Sequence, residues 1–147
     1  TSTGRKLYAK VFGPENRAVD TSFAKLIFWN NNGMEIREGV DYNFLSTEIA
    51  SANNTRPVFL FHHQDPYNSL PFTDAQDALY TSIVQSHSQV IVFNGHLHRF
   101  STSVVNSIPF FQIHRVEGGK WGMVEVDSSN IRVYHCDENN CGLISTL

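Results

Sequence analysis

The chain has 147 residues, 11 basic against 14 acidic side chains, and an aromatic share of 12% led by 11 phenylalanines. One domain with a sizeable core fits that length, and the charge balance, with no basic block, argues against a dedicated nucleic-acid or anionic-membrane surface. Apolar strings such as Val58-Phe59-Leu60-Phe61 fall far short of the about 20 residues of a membrane span, and the opening Thr-Ser-Thr-Gly-Arg-Lys does not read as a secretory signal.

Lys6 to Phe12 is mixed and reads as a short strand or a connection, followed by a turn at Gly13-Pro14-Glu15-Asn16. Phe23 to Trp29 is predicted as a strand stopped by Asn30-Asn31-Asn32-Gly33. Asp41 caps a predicted helix through about Ser51, with Phe44, Leu45, Glu48 and Ile49 as its stripe. Pro57 starts a buried strand, Val58 to Phe61, that ends at His62-His63. Thr73 caps a second helix to about Ser86, with Ala75, Ala78, Leu79, Ile83 and Tyr80 as candidates for its inner face. Gln89 to Phe93 is another apolar strand, ending at Asn94-Gly95. Thr102–Val105, Pro109–His114, Lys120–Val126 and Ile131–Cys136 then read as consecutive strands, with a hairpin at Asp127-Ser128-Ser129-Asn130.

Apolar strands separated by helices predict a sheet buried on both faces, and the late hairpins predict a more antiparallel edge. The fold class is α/β or α+β with a mixed sheet. Cys136 and Cys141 are spaced too widely for a two-residue redox or zinc knuckle. A disulfide closing a turn and two free thiols are both open readings. A bridge would imply an oxidising compartment. With the sequon Asn53-Asn54-Thr55, it leans the chain toward a secreted, periplasmic or lumenal setting.

Chemistry concentrates where two strands end in histidine: His62-His63, and His96-Leu97-His98 after Gly95. In open α/β sheets functional groups gather beyond the carboxyl ends of strands. His96 and His98 are two apart, so in extended backbone their imidazoles leave on one side, and neutral imidazoles suit zinc, iron and manganese. Gly95 removes a side chain where the chain must approach an ion. His87, His114 and His135 read as ordinary surface or core residues.

Val58-Phe59-Leu60-Phe61-His62-His63-Gln64-Asp65-Pro66 and Val90-Ile91-Val92-Phe93-Asn94-Gly95-His96-Leu97-His98 resemble the last two motifs of the calcineurin-like metallophosphoesterases, a family that includes purple acid phosphatases and cyclic-nucleotide phosphodiesterases. Phe12-Gly13-Pro14 and Phe23 to Asn30 resemble the region after the family's Asn-His motif. The resemblance implies that residues 1–147 are the C-terminal part of one such domain: the mixed-sheet half of a metallophosphoesterase β-sandwich flanked by helices. It implies two divalent or trivalent ions (iron, zinc or manganese), with His62 and His96 on one and His98 on the other. Position at the strand end favours His62, while distance to Pro66-Tyr67-Asn68-Ser69 favours His63. The implied reaction is two-metal hydrolysis of a phosphomonoester or phosphodiester by a metal-activated water.

The family's Asp-x-His, Gly-Asp-x-x-Asp and Gly-Asn-His motifs are absent from the sequence. The expectation is that an N-terminal segment supplies the remaining ligands and the general acid, and that this chain alone is inactive. That segment is also expected to cover Phe28, Phe59, Phe61, Ile91 and Phe93. Gln64 to Phe72 and Arg99 to Ser101 border the expected site as candidate substrate contacts, with Asp65 placed to orient an imidazole. The alternative is a binding module that keeps the fold without catalysis. A metallo-β-lactamase-like reading fails because Arg99-Phe100-Ser101 follows His98.

Overall fold

The computed structural model describes residues 2–32, 39–67 and 72–147. Gly33 of the expected turn, and Asn68 and Ser69 of the proline-led loop, lie outside the described residues. The order is α1 (Ser2–Phe12), β1 (Arg17–Asp20), β2 (Lys25–Phe28), α2 (Tyr42–Ala50), β3 (Val58–Phe61), α3 (Asp74–Val84), β4 (Val90–Asn94), β5 (Ser101–Val105), β6 (Ile108–Gln112), β7 (Lys120–Val126), β8 (Ile131–Asp137) and β9 (Cys141–Thr146). A six-stranded mixed sheet runs β1-β2-β3-β4-β6-β5, and a three-stranded sheet runs β7-β8-β9. Strands β2, β3, β4 and β6 are parallel, while β1 and β5 close the two edges antiparallel. Among the described residues no helix is long and apolar enough to cross a membrane.

Strand alternation divides the interior into two cores. Val58 and Leu60 of β3, with Ile27, Val90 and Val92, face α2 and α3 and meet Leu45, Ile49, Tyr80 and Val84. Phe59, Ile91, Phe93 and Phe111 face the opposite way and meet Val133, Val124, Val126 and Ile131 of the second sheet. At Gly122 the two layers lie close, and a Cβ there would stand 2.9 Å from Ile113 Cδ1, so the tip of that side chain would have to shift. Each buried phenylalanine contributes about 1.5–3 kcal/mol. The expectation that this face needs an outside segment is therefore corrected for Phe59, Ile91 and Phe93, which are 4%, 4% and 6% exposed. Phe28 and Phe61 are half-buried, stacked on each other at 5.0 Å, with the Arg17 guanidinium over Phe28.

The capping signals act as the sequence suggests. Asp41 accepts the Phe44 N–H at the start of α2, and Thr73 and Gln76 form a capping box on α3. Three local readings change. Lys6 to Phe12 belongs to α1, and the edge strands β1 and β9 have no counterpart in the reading above. On α3 the buried face is Tyr80, Ile83 and Val84, whereas Ala75, Ala78 and Leu79 are exposed. Tyr80 goes inward because a partner for its hydroxyl waits there. Of the two cysteine readings, the structure has the disulfide, which joins directly paired positions of β8 and β9. Lys25, buried at the start of β2, is held by Glu48 at 2.7 Å and Ser51 Oγ at 2.6 Å near the end of α2.

Candidate metal centre

Strands β3 and β4 run in register, with Phe61 opposite Phe93. The ladder continues past their ends, because the His62 N–H donates to Phe93 O and the Gly95 N–H donates to His63 O. Two histidine-bearing exits are thereby held side by side at the carboxyl edge of the sheet. Consecutive residues leaving a strand point to opposite faces, so one of His62 and His63 goes inward and the other outward.

His62 goes inward. It is 8% exposed, and its ring meets the edge of Trp29 with centroids 5.9 Å apart. Asn31 Nδ2 lies 3.3 Å from Nδ1, and Tyr80 Oη lies 2.9 Å from Nε2. An amide nitrogen can only donate, so Nδ1 is the acceptor and Nε2–H donates to Tyr80. Burial pushes its pKa down to about 3, outweighing the contact with Gln64, so the ring stays neutral. Both ring nitrogens are committed, and His62 does not converge with His96.

His63 goes outward. Its Nε2 stands 3.3 Å from His96 Nδ1, and the rings cross nearly at right angles with centroids 5.2 Å apart. Two imidazole nitrogens each about 2.0–2.1 Å from zinc at a tetrahedral angle would stand about 3.3–3.4 Å apart. The separation matches that span, and it is equally the length of an N–H···N hydrogen bond between the two rings. Gly95 has an ordinary backbone angle, and a Cβ there would meet His63 Nδ1 at 3.7 Å, a normal contact. The glycine is thus not required by the backbone.

His98 stands apart from this pair. The loop is not extended: His96 has φ 72° and His98 φ 52°, both left-handed, so strand alternation does not aim their rings together. The His98 carbonyl accepts from His114 Nδ1 at 3.0 Å. His114 stacks on His135 at 5.4 Å, and His135 stacks on Phe100 at 4.3 Å. Burial, followed by the His114 and Lys120 charges, holds His135 below its ordinary pKa. Among the described residues no three His, Cys, Asp or Glu side chains converge on one point. The propping role of His114 and His135, and that of Asn31, carries no sequence signal, because each acts across elements far apart in the chain.

A cleft of about 420 Å³ is lined by Asp65, Asn94, Arg99, Ser101 and Gln112 among others, and by neither His63 nor His96. Three of the expected substrate-contact positions, Asp65, Arg99 and Ser101, line it. Asp65 accepts the Tyr67 N–H at 3.0 Å.

No family model and no curated protein sequence matches the chain. Solved structures do match. GAP50, the anchor in the inner membrane complex of Plasmodium, is 11% identical with a TM-score of 0.57, over 90% of this chain and 52% of that one. The likeness is one of fold. Zinc-complexed Vps29 of Entamoeba histolytica is 12% identical with a TM-score of 0.44, over 90% of this chain and 59% of that one. A dimetal phosphatase from Danio rerio is 13% identical with a TM-score of 0.47, over 80% and 37%. The chain therefore spans about half the length of the structures it matches, 37–59% for these three. Among the described residues the chain is a mixed α/β fold with a six-stranded and a three-stranded sheet, as the sequence predicts, and it shares that fold with GAP50.

Proposed function

We propose that this chain supplies part of a metal-dependent site for hydrolysis of a phosphomonoester or phosphodiester. The observation that carries the proposal is the His63–His96 pair, 3.3 Å apart at the ends of two parallel strands. His63 takes the place that strand-end position assigned to His62, since His62 spends both nitrogens in the core. His98 is the candidate donor to a second ion. Zinc, iron and manganese all suit imidazole donors. Bound metal would supply polarisation of the phosphoryl oxygens and an acidified water. The chain's own part is to present two imidazoles and to offer the cleft that Arg99 lines, where its guanidinium suits a phosphate oxygen. The remaining ligands and the general acid belong to an N-terminal segment of the same domain.

Titration calorimetry with Zn²⁺ or Mn²⁺ tests this. His63→Ala and His96→Ala should each weaken binding by about tenfold or more, and His62→Gln should change it far less. Equal binding by wild type and the His63/His96 double variant overturns the proposal. The chain alone should not turn over p-nitrophenyl phosphate, while protein carrying the upstream segment should. The second reading is a non-catalytic binding module, favoured by one observation: GAP50, which shares the fold, is described as an anchor. On that reading the double variant keeps its partner, and the longer protein hydrolyses no phosphate ester.

A further inference from the structure

We propose that Asn31 is the positioning residue that decides which of two adjacent histidines faces the metal site. Its carboxamide is fully buried behind the end of β3. One atom, Oδ1, accepts from two successive backbone groups, the His63 N–H at 3.1 Å and the Gln64 N–H at 2.9 Å. The other, Nδ2, donates to Gln64 O at 2.7 Å and lies 3.3 Å from His62 Nδ1. A single side chain thus satisfies three backbone groups of the exit loop and also marks the inward ring. Hydrogen bonds in so dry a place are strong, and a partner lost there is not replaced by water.

The geometry explains why the clamp selects rather than merely stabilises. His62 and His63 have the same chemistry, so side-chain preference does not separate them. A one-residue change in where the strand ends would exchange their faces, as register slips do in any strand. Asn31 pins the peptide N–H groups on either side of His63. Gln64, also buried, extends the pin by donating from Nε2 to Asn32 Oδ1 at 3.0 Å. With the His63 peptide so held, Gly95 N–H reaches His63 O at 3.0 Å and the His63 ring is left facing His96.

As a contribution to metal binding the inference rests on the proposed two-imidazole site; as a statement about ring placement it does not. The test uses the whole chain and two readouts. In metal-free protein a ring-to-ring nuclear Overhauser effect between His63 and His96 reports their contact directly. In Asn31→Ala that signal should disappear. In Asn31→Asp, which keeps acceptor oxygens for both N–H groups, it should persist. Leu45→Ala, a core truncation in the helix-facing core, should keep it despite lowered stability. Co²⁺, added as a spectroscopic probe, should bind wild type and Asn31→Asp alike and bind Asn31→Ala at least about tenfold more weakly. Persistence of the ring contact in Asn31→Ala overturns the inference, and so does its equal loss in Leu45→Ala. If the contact behaves as expected but wild type binds no Co²⁺, the metal reading falls and the positioning role stands.

Discussion

The interior behind β3 and the rim in front of it use the same side chain in opposite ways. Behind, His62 is walled by Trp29 and Tyr80, neutral, with every nitrogen in a hydrogen bond. In front, the exposed His63 holds its Nε2 3.3 Å from His96 Nδ1. Position at a strand end therefore does not identify a ligand.

Four changes sharpen or break this contrast. The largest belongs to the interior: Tyr80→Ala removes a ring stacked on Trp29 and strands His62, and should cost about 3–5 kcal/mol in urea unfolding. Next comes pH. The folded pKa of His62 is depressed to about 3 from the ordinary 6.5, so the unfolded chain holds the proton that the folded chain refuses. Its stabilising contribution is complete above pH 6.5 and is lost as pH falls toward 3. With a chelator present, wild type should lose stability more steeply than His62→Gln over that range, by about 1.4 kcal/mol per pH unit. A smaller effect is expected at the rim, where His63→Ala should shift unfolding by less than about 0.5 kcal/mol. Smallest of all, Gly95→Ala should change stability by only about 0.2 kcal/mol, since its Cβ has room beside His63. If His63→Ala unfolds the protein as readily as Tyr80→Ala, the distinction between interior and rim is lost.

Much of the fold is legible in the sequence because its signals are local. The buried strand Val58–Phe61 is bounded by Pro57 and histidine, Asp41 and Thr73 cap their helices, and Asp127 to Asn130 turns a hairpin. The failures are of another kind. α1 has few apolar contacts of its own to announce it, and β1 and β9 exist only through their neighbours' ladders. Tyr80 is drawn inward by a hydroxyl partner 18 residues away. The Gly-His-x-His loop could be found by spacing. The choice between His62 and His63 could not, because Asn31 makes it from 32 and 33 residues upstream through hydrogen bonds to the His63 and Gln64 backbone.

The left-handed backbone at His96 and His98 has a consequence for engineering. A residue with a Cβ held at such an angle gives up about 1 kcal/mol that glycine would keep. His98→Gly is therefore the simplest stabilising substitution the loop offers, and the same exchange strips away a donor imidazole. On the proposed function, thermal ruggedness and metal binding would pull against each other here through a single backbone angle. A variant library screened for heat resistance alone would be expected to erode this loop first, and one screened for metal retention would be expected to keep it.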